Sequence, residues 1–229
     1  MCGRTALTAS PDELRHALGL RERPVLVPHY NVPPSRPVAV VRSSSPDRRI
    51  ELLRWGLVPP WAESPKIADR LALARAESIS DTRAFREAVQ KRRCLVIVDG
   101  FFEWQRAGRR ASQPFFVQRI DQAPFALAGI WERWAARDGE IVESCAIITQ
   151  AARPPVDAIH DRMPVVLERD AWDRWVDPAP MAPDAIARLL EPQTPALVAY
   201  PVGPYVNDPR HDDPRCLARE EPAQLALIP

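Results

Sequence analysis

The chain has 229 residues, enough to bury a substantial core as one large domain or two small ones. Its 31 basic and 30 acidic residues leave a formal charge of +1. That balance excludes the global positive field that holds long nucleic-acid stretches and confines any such site to a local cluster.

The four cysteines, Cys2, Cys94, Cys145 and Cys216, are scattered, with no CxxC pair and no histidine at ligand spacing. The pattern argues against a metal site and a disulfide framework and suits a reducing cytoplasm. The first thirty residues contain no continuous apolar segment of the signal-peptide kind, and no run approaches the roughly 18 apolar residues that span a bilayer. A soluble cytoplasmic protein is expected. Lysine occurs only at Lys66 and Lys91, so arginine supplies nearly all the positive charge. Arginine suits phosphates and stacked bases but is no amine nucleophile, which leaves the α-amine as the natural nitrogen nucleophile.

In chain order, the first feature is "MCGR". Loss of Met1 would give Cys2 a free α-amine two carbons from its thiol, a pair no internal residue offers. "SPDELRHAL" predicts a helix with Ser10 as N-cap, Pro11 at N1 and Glu13 closing a capping box. "YNVPPSRP" (30–37) reads as a stiff turn with Asn31 and Arg36 facing out. "PVAVV" (37–41) and "IELLRW" (50–55) read as strands joined by the loop tip "SSSPDRR" (43–49). In "RWGLVPPWA" (54–62), Trp55 continues the strand into the core, while Trp61 sits between Pro60 and Ala62 as an exposed platform for an unpaired base. "ALARAES" (72–78) supplies Arg75 and Glu77, and "DTRAFREAVQKR" (81–92) is amphipathic through Ala84, Phe85 and Val89.

The strand "CLVIV" (94–98) ends at Asp99-Gly100, and a second extended run, "FFEWQR", follows. Glu103 in that run has two readings. It faces water as an ordinary strand residue, or it points inward, where Phe101, Phe102 and Trp104 desolvate it and raise its pKa into the range of a proton donor near neutrality. "PFFVQ" (114–118), "FALAGIW" (125–131) and "SCAIIT" (144–149) read as further strands. "IHDRMPVVL" places His160 in a loop before a strand over 163–167, as a hydrogen-bonding structural residue or as a proton carrier. Arg162 beside it either clamps a phosphate or forms a surface ion pair with Asp161 or Glu168. "APDAIARLL" predicts a helix from Pro183 and Asp184, and "ALVAY" (196–200) a last strand. With 26 prolines, 8 glycines and no repeat, low-complexity tract or linker, a single domain over 1–229 is the simplest organisation. Strands outnumber helices without alternating with them, which predicts an α+β fold with a mainly antiparallel, barrel-like β core and a few flanking helices.

Taken together, these segments resemble the SOS response-associated peptidase (SRAP) family, whose eukaryotic relatives shield abasic sites in single-stranded DNA. The resemblance rests on "MCGR", "YNVPPSRPVAVV", "RWGLVPPWA", "ARAES", "CLVIVDGFFEW", "FALAGIWERW", "ESCAIIT", "IHDRMPVVL" and "YPVGPYVN". They occur in the family's order from residue 2 to about 207, with a tail over 208–229. The resemblance implies covalent capture of abasic sites through Cys2 once Met1 is lost, with Cys2, Glu103 and His160 catalytic and associated lyase and peptidase activities. It further implies DNA contacts from Arg4, Trp61, Arg75 and Arg162, no metal or cofactor, single-stranded DNA with abasic sites as partner, action as a monomer, and a place near the nucleoid in a bacterium. One departure stands out: where the family reads "NAR", this chain reads "LAR", so Leu73 replaces a functional asparagine, for which Asn31 is a candidate substitute.

Two other classes begin from the same residues. An N-terminal-nucleophile amidohydrolase also starts Met-Cys-Gly, but continues with an apolar residue where this chain has Arg4 and carries an "RGPD" segment absent here. A non-catalytic single-strand binding module would leave Cys2 incidental.

Overall fold

The branched and aromatic runs pair edge to edge because each is too short to bury its own apolar surface. The computed structural model describes residues 3–44, 46–105, 112–136, 139–191 and 196–220. Strands β1 (Arg4–Leu7), β2 (His29–Val32), β3 (Pro37–Val41), β4 (Glu51–Trp55), β5 (Leu73–Arg75), β6 (Arg93–Val98) and β7 (Gly100–Gln105) fill the first half. They are followed by β8 (Gln113–Arg119), β9 (Phe125–Ala135), β10 (Ile141–Ala151), β11 (Arg162–Pro164), β12 (Val166–Leu167) and β13 (Leu197–Pro201).

Strands β4, β3, β6, β9 and β10 pair in that order, and β10 returns to β4, so the sheet closes into a five-stranded barrel. The pairings are antiparallel except where β10 runs parallel to β4 and to β5. A second sheet, in the order β13-β8-β7-β1-β2, flanks it. The expected α+β class and barrel-like core are thus found.

The period-2 alternation of the barrel strands separates two apolar clusters. Val38, Val40, Leu53, Trp55, Val96, Leu127 and Ile147 share one with Phe101 and Val117 of the second sheet. The opposite face, including Ala39, Val41, Leu95, Ile97, Ile130 and Ile148, receives the helices. Helix α1 (Pro11–Leu18) contributes Leu14 and Leu18, α2 (Arg86–Lys91) Ala88 and Val89, α3 (Trp172–Val176) its two tryptophans, and α4 (Pro183–Leu189) Ile186.

The capping box of α1 is present: Ser10 Oγ accepts from Glu13 N–H, and Glu13 Oε2 accepts from Ser10 N–H at 2.7 Å. Helix α2 is shorter than its amphipathic pattern, starting at Arg86, because Thr82 to Phe85 form turns first; Phe85 is buried nonetheless. The run "MPVVL" divides at Val165, whose N–H donates to Ile148 while its carbonyl accepts from Ala128, so the strand changes neighbour from β10 to β9. Among the described residues, no helix is long and apolar enough to cross a membrane.

The corner that sets up the functional region is Asp99-Gly100, where the chain leaves the barrel and enters the second sheet. The Asp99 carboxylate accepts from the Thr8 N–H, from the Thr8 hydroxyl at 2.8 Å and from the Ala9 N–H at 2.9 Å. Its own N–H donates to Ala6 at 2.8 Å, which ties the corner to the end of β1. Gly100 is obligatory: a Cβ there would lie 2.3 Å from Phe116 Cζ and 2.5 Å from the Val117 carbonyl oxygen.

Candidate active site

Strand β7 carries the acid. Phe101, Glu103 and Gln105 share one of its faces. Glu103 lies opposite Phe115 of β8 and is 0% exposed. The inward reading of this residue is therefore the one found. Burial pushes the Glu103 carboxyl up to about 7 against an opposing hydrogen bond from the Trp104 N–H, and the nearby Asp161 charge adds a smaller rise.

Two residues along the same face, Gln105 Nε2 donates to the Ala158 carbonyl at 2.8 Å and anchors the short 3-10 turn Val156–Ala158 over the end of β7. That turn presents His160, whose N–H donates to Val156 at 2.9 Å. His160 Nδ1 accepts from the Arg162 N–H at 3.0 Å and lies 2.7 Å from Asp161 Oδ1. The first contact suits a neutral ring with its proton on Nε2, and the second a protonated ring, so the imidazole has a partner in either charge state.

A cleft of about 800 Å³ opens here, lined by Arg75, Gln105, Asp157, His160, Asp161 and Arg162. Arg75 is exposed at the end of β5 and has no ion pair among the described residues. Arg162 pairs with neither Asp161 nor Glu168. Its Nη1 and Nη2 bind Glu77 at 2.6 and 3.0 Å, and Nη2 also donates to the Thr149 carbonyl at 2.7 Å.

Trp61 is 45% exposed, as a platform should be, and does not line the cleft. The Arg83 guanidinium lies 4.5 Å from its ring centroid. Sequence reasoning missed Arg83, because its only signal is a place six residues beyond Glu77 in a segment that reads as helix. Trp55 is core, with Nε1 donating to the Ala72 carbonyl at 2.9 Å.

Two expectations change. Asn31, read as facing out, is 1% exposed. Its Nδ2 donates to the carbonyls of Val206, Asp208 and His211 at 2.9–3.1 Å, and its Oδ1 accepts from Arg4 at 2.8 Å. The cause is a strap over 204–217 whose carbonyls converge on it, and an amide committed in this way cannot stand in for the asparagine that Leu73 replaces. Arg4 is bound by the same strap, donating to Val206 and Asn207 carbonyls at 2.9 and 3.3 Å and lying 5.7 Å from the Trp104 ring centroid. It fixes the start of β1.

Cys2 lies outside the described residues. Arg4, Thr5 and Ala6 of β1 pair with Phe102, Phe101 and Gly100. Leu73 is half-buried against the barrel cluster and opposite Ile147. A separate groove of about 480 Å³ beside β2 and β3, bordered by Val25, Val27 and Leu52, holds none of the acid–base residues.

Residues 1–209 match the model of the SOS response associated peptidase (SRAP) family. The chain belongs to the SRAP family. Among its SRAP relatives, the abasic site processing protein YoaM of Bacillus subtilis is 34% identical over 224 residues, covering 96% of this chain and 99% of YoaM. The abasic site processing protein HMCES of Mus musculus is 30% identical over 277 residues, covering 99% of this chain and 77% of HMCES. The crystal structure of a Bacteroides thetaiotaomicron protein superposes with a TM-score of 0.84 at 27% identity, covering 96% of this chain and all of that one.

Proposed function

We propose that this SRAP protein captures abasic sites in single-stranded DNA as a covalent adduct on Cys2, with Met1 removed, and that Glu103 and His160 carry the proton transfers. The observation that bears most of the weight is Glu103: a fully buried carboxyl with a pKa of about 7, on the strand that pairs with the start of β1. A structural glutamate gains nothing from such a position, whereas a proton donor working near neutral pH requires it.

An abasic deoxyribose exchanges between a closed hemiacetal and an open aldehyde. The Cys2 α-amine, with an ordinary pKa near ~8, is partly neutral at pH 7 and attacks C1′. Protonated Glu103 donates to the ring oxygen as it opens and then assists loss of the C1′ hydroxyl as water, leaving an imine. The thiol adds across the C=N bond, its proton passing to nitrogen, and a five-membered thiazolidine forms. One water leaves overall, and no oxidant or reductant is consumed. Closure is intramolecular, where effective molarities reach on the order of 10⁵ M, so the ring outlasts an open imine. His160, able to hold or release a proton at the cleft wall, serves the sugar oxygens. β-Elimination from the imine is the route to strand cleavage, and the peptidase of the family name corresponds to release of Met1.

Arg75 and Arg162 line the cleft as phosphate contacts, and Trp61 supplies a stacking surface for an unpaired base. The sugar has to leave the duplex stack to reach the cleft, which favours single strands. Arg4 acts through position, holding the start of β1 on the strap.

The test is intact mass spectrometry before and after mixing with an abasic single-stranded oligonucleotide, with no reductant. The expected product is a chain lacking Met1 plus the oligonucleotide less one water. Failure of Cys2→Ala to abolish it, or glutaminase activity without an adduct, would overturn the reading.

A further inference from the structure

The fork of Arg162 that faces the cleft is already occupied. Arg162 Nη1 and Nη2 grip the two Glu77 carboxylate oxygens end-on at 2.6 and 3.0 Å. The side edge is closed as well: Nη2 donates to the Thr149 carbonyl at 2.7 Å, and Nε is buried without a partner among the described residues. A phosphate needs a two-pronged fork of this kind for its strong geometry, and none is open while Glu77 stays in place. The Glu77 side chain is 54% exposed against 15% for Arg162, so the carboxylate is the partner on the solvent side. Glu77 is ionised at neutral pH, since the Arg162 hydrogen bonds hold its carboxyl below the usual range.

We infer that Glu77 occupies the phosphate fork of Arg162 in the DNA-free protein and is exchanged for a backbone phosphate when a strand enters the cleft. Glu77 is then a specificity-determining residue. It cancels one positive charge at the mouth of the cleft, weakens the grip on undamaged strands and leaves durable attachment to the covalent step. The inference rests on the proposed function for the identity of the strand, but it concerns non-covalent binding alone.

Binding of an undamaged single-stranded oligonucleotide, read by fluorescence anisotropy over a salt series, tests it. Glu77→Gln should tighten binding about two- to fivefold, the range set by breaking a largely solvent-facing ion pair. The salt dependence should change by less than about 0.7 in log K against log salt, the contribution of one single-strand phosphate contact, because Arg162 meets a phosphate in both proteins. In an Arg162→Gln background the gain should vanish, because the competition has lost its object. Thermal melting checks that the variants fold, and Glu77→Ala serves if Glu77→Gln does not. Unchanged or weaker binding, or a gain that survives without Arg162, would show that Glu77 buttresses the arginine and overturn the inference. Adduct formation by the unmodified protein on an abasic oligonucleotide reports separately on the function, so the two can fail independently.

Discussion

Replacing Glu103 by glutamine should stabilise the protein at neutral pH while disabling it. The carboxyl is pushed from an ordinary 4.5 up to about 7 by burial, so the folded state keeps a proton that the unfolded chain has released. The sign follows directly. Below about pH 4.5 both states are protonated and the residue contributes no pH dependence. Between 4.5 and 7 the unfolded state loses its proton first, and folding stability declines; above 7 both states are ionised and the loss levels off. Two and a half pKa units correspond to about 3 kcal/mol.

Glutamine cannot ionise, so Glu103→Gln removes this penalty. In a chain of this size, about 3 kcal/mol amounts to roughly 6–12 °C in melting temperature. The assay is the difference in melting temperature between variant and parent, taken from pH 4 to 8.5. It should rise through the 4.5–7 window and then plateau, while adduct formation at pH 7 falls by about 10²-fold or more. A difference that stays flat across the range would mean that the folded protein does not hold that proton and would refute the general-acid assignment.

Further outcomes follow from the same geometry. Adduct formation by the parent protein should be bell-shaped in pH, centred near ~7.5, falling on the acid side as the amine protonates and on the basic side as Glu103 ionises; Glu103→Gln should lose the basic limb. Gly100→Ala should lower stability by about 1–3 kcal/mol in denaturant melts, since its Cβ would strike Phe116 and the Val117 carbonyl. Trp61→Ala should weaken single-strand binding by about 1–3 kcal/mol, the value of one stacked base, without changing the rate of adduct closure at saturating oligonucleotide. Leu73→Asn should accelerate adduct formation by restoring a hydrogen-bonding side chain, and lower the melting temperature because Leu73 packs against the barrel cluster; an unchanged rate would show that the position has lost its role in this chain.

How far the site could be read in advance differs residue by residue. The period-2 alternation of "GFFEWQ" put Glu103 on a face with Phe101 and Gln105, but alternation only groups residues and does not say which group is covered. That Glu103 is wholly buried is decided by tertiary packing, which alternation does not record. Asn31 is buried for a like reason: the carbonyls that accept from its amide lie 175 to 180 residues further on. The sequence offers Asp161 and Glu168 as partners for Arg162, and the fold supplies Glu77, 85 residues back, because β5 and β11 both pair with β10. His160 stands out in the sequence because His16, His29 and His211 sit in unremarkable polar contexts, and its distance of 2.7 Å from the neighbouring Asp161 is a detail of the fold.

What the residues settled unaided was local or cumulative: the Ser10 capping box, the proline start of the last helix, the strand segments, the break at Asp99-Gly100, and a family resemblance carried by strings spread along the chain. Those signals depend on a few adjacent side chains and their backbone preferences, which travel with the sequence. Tertiary structure alone decided which faces were dry, which charges met and where the barrel closed. Desolvation and ion pairing depend on distance through space, and that distance is set only once strands far apart in the chain lie side by side.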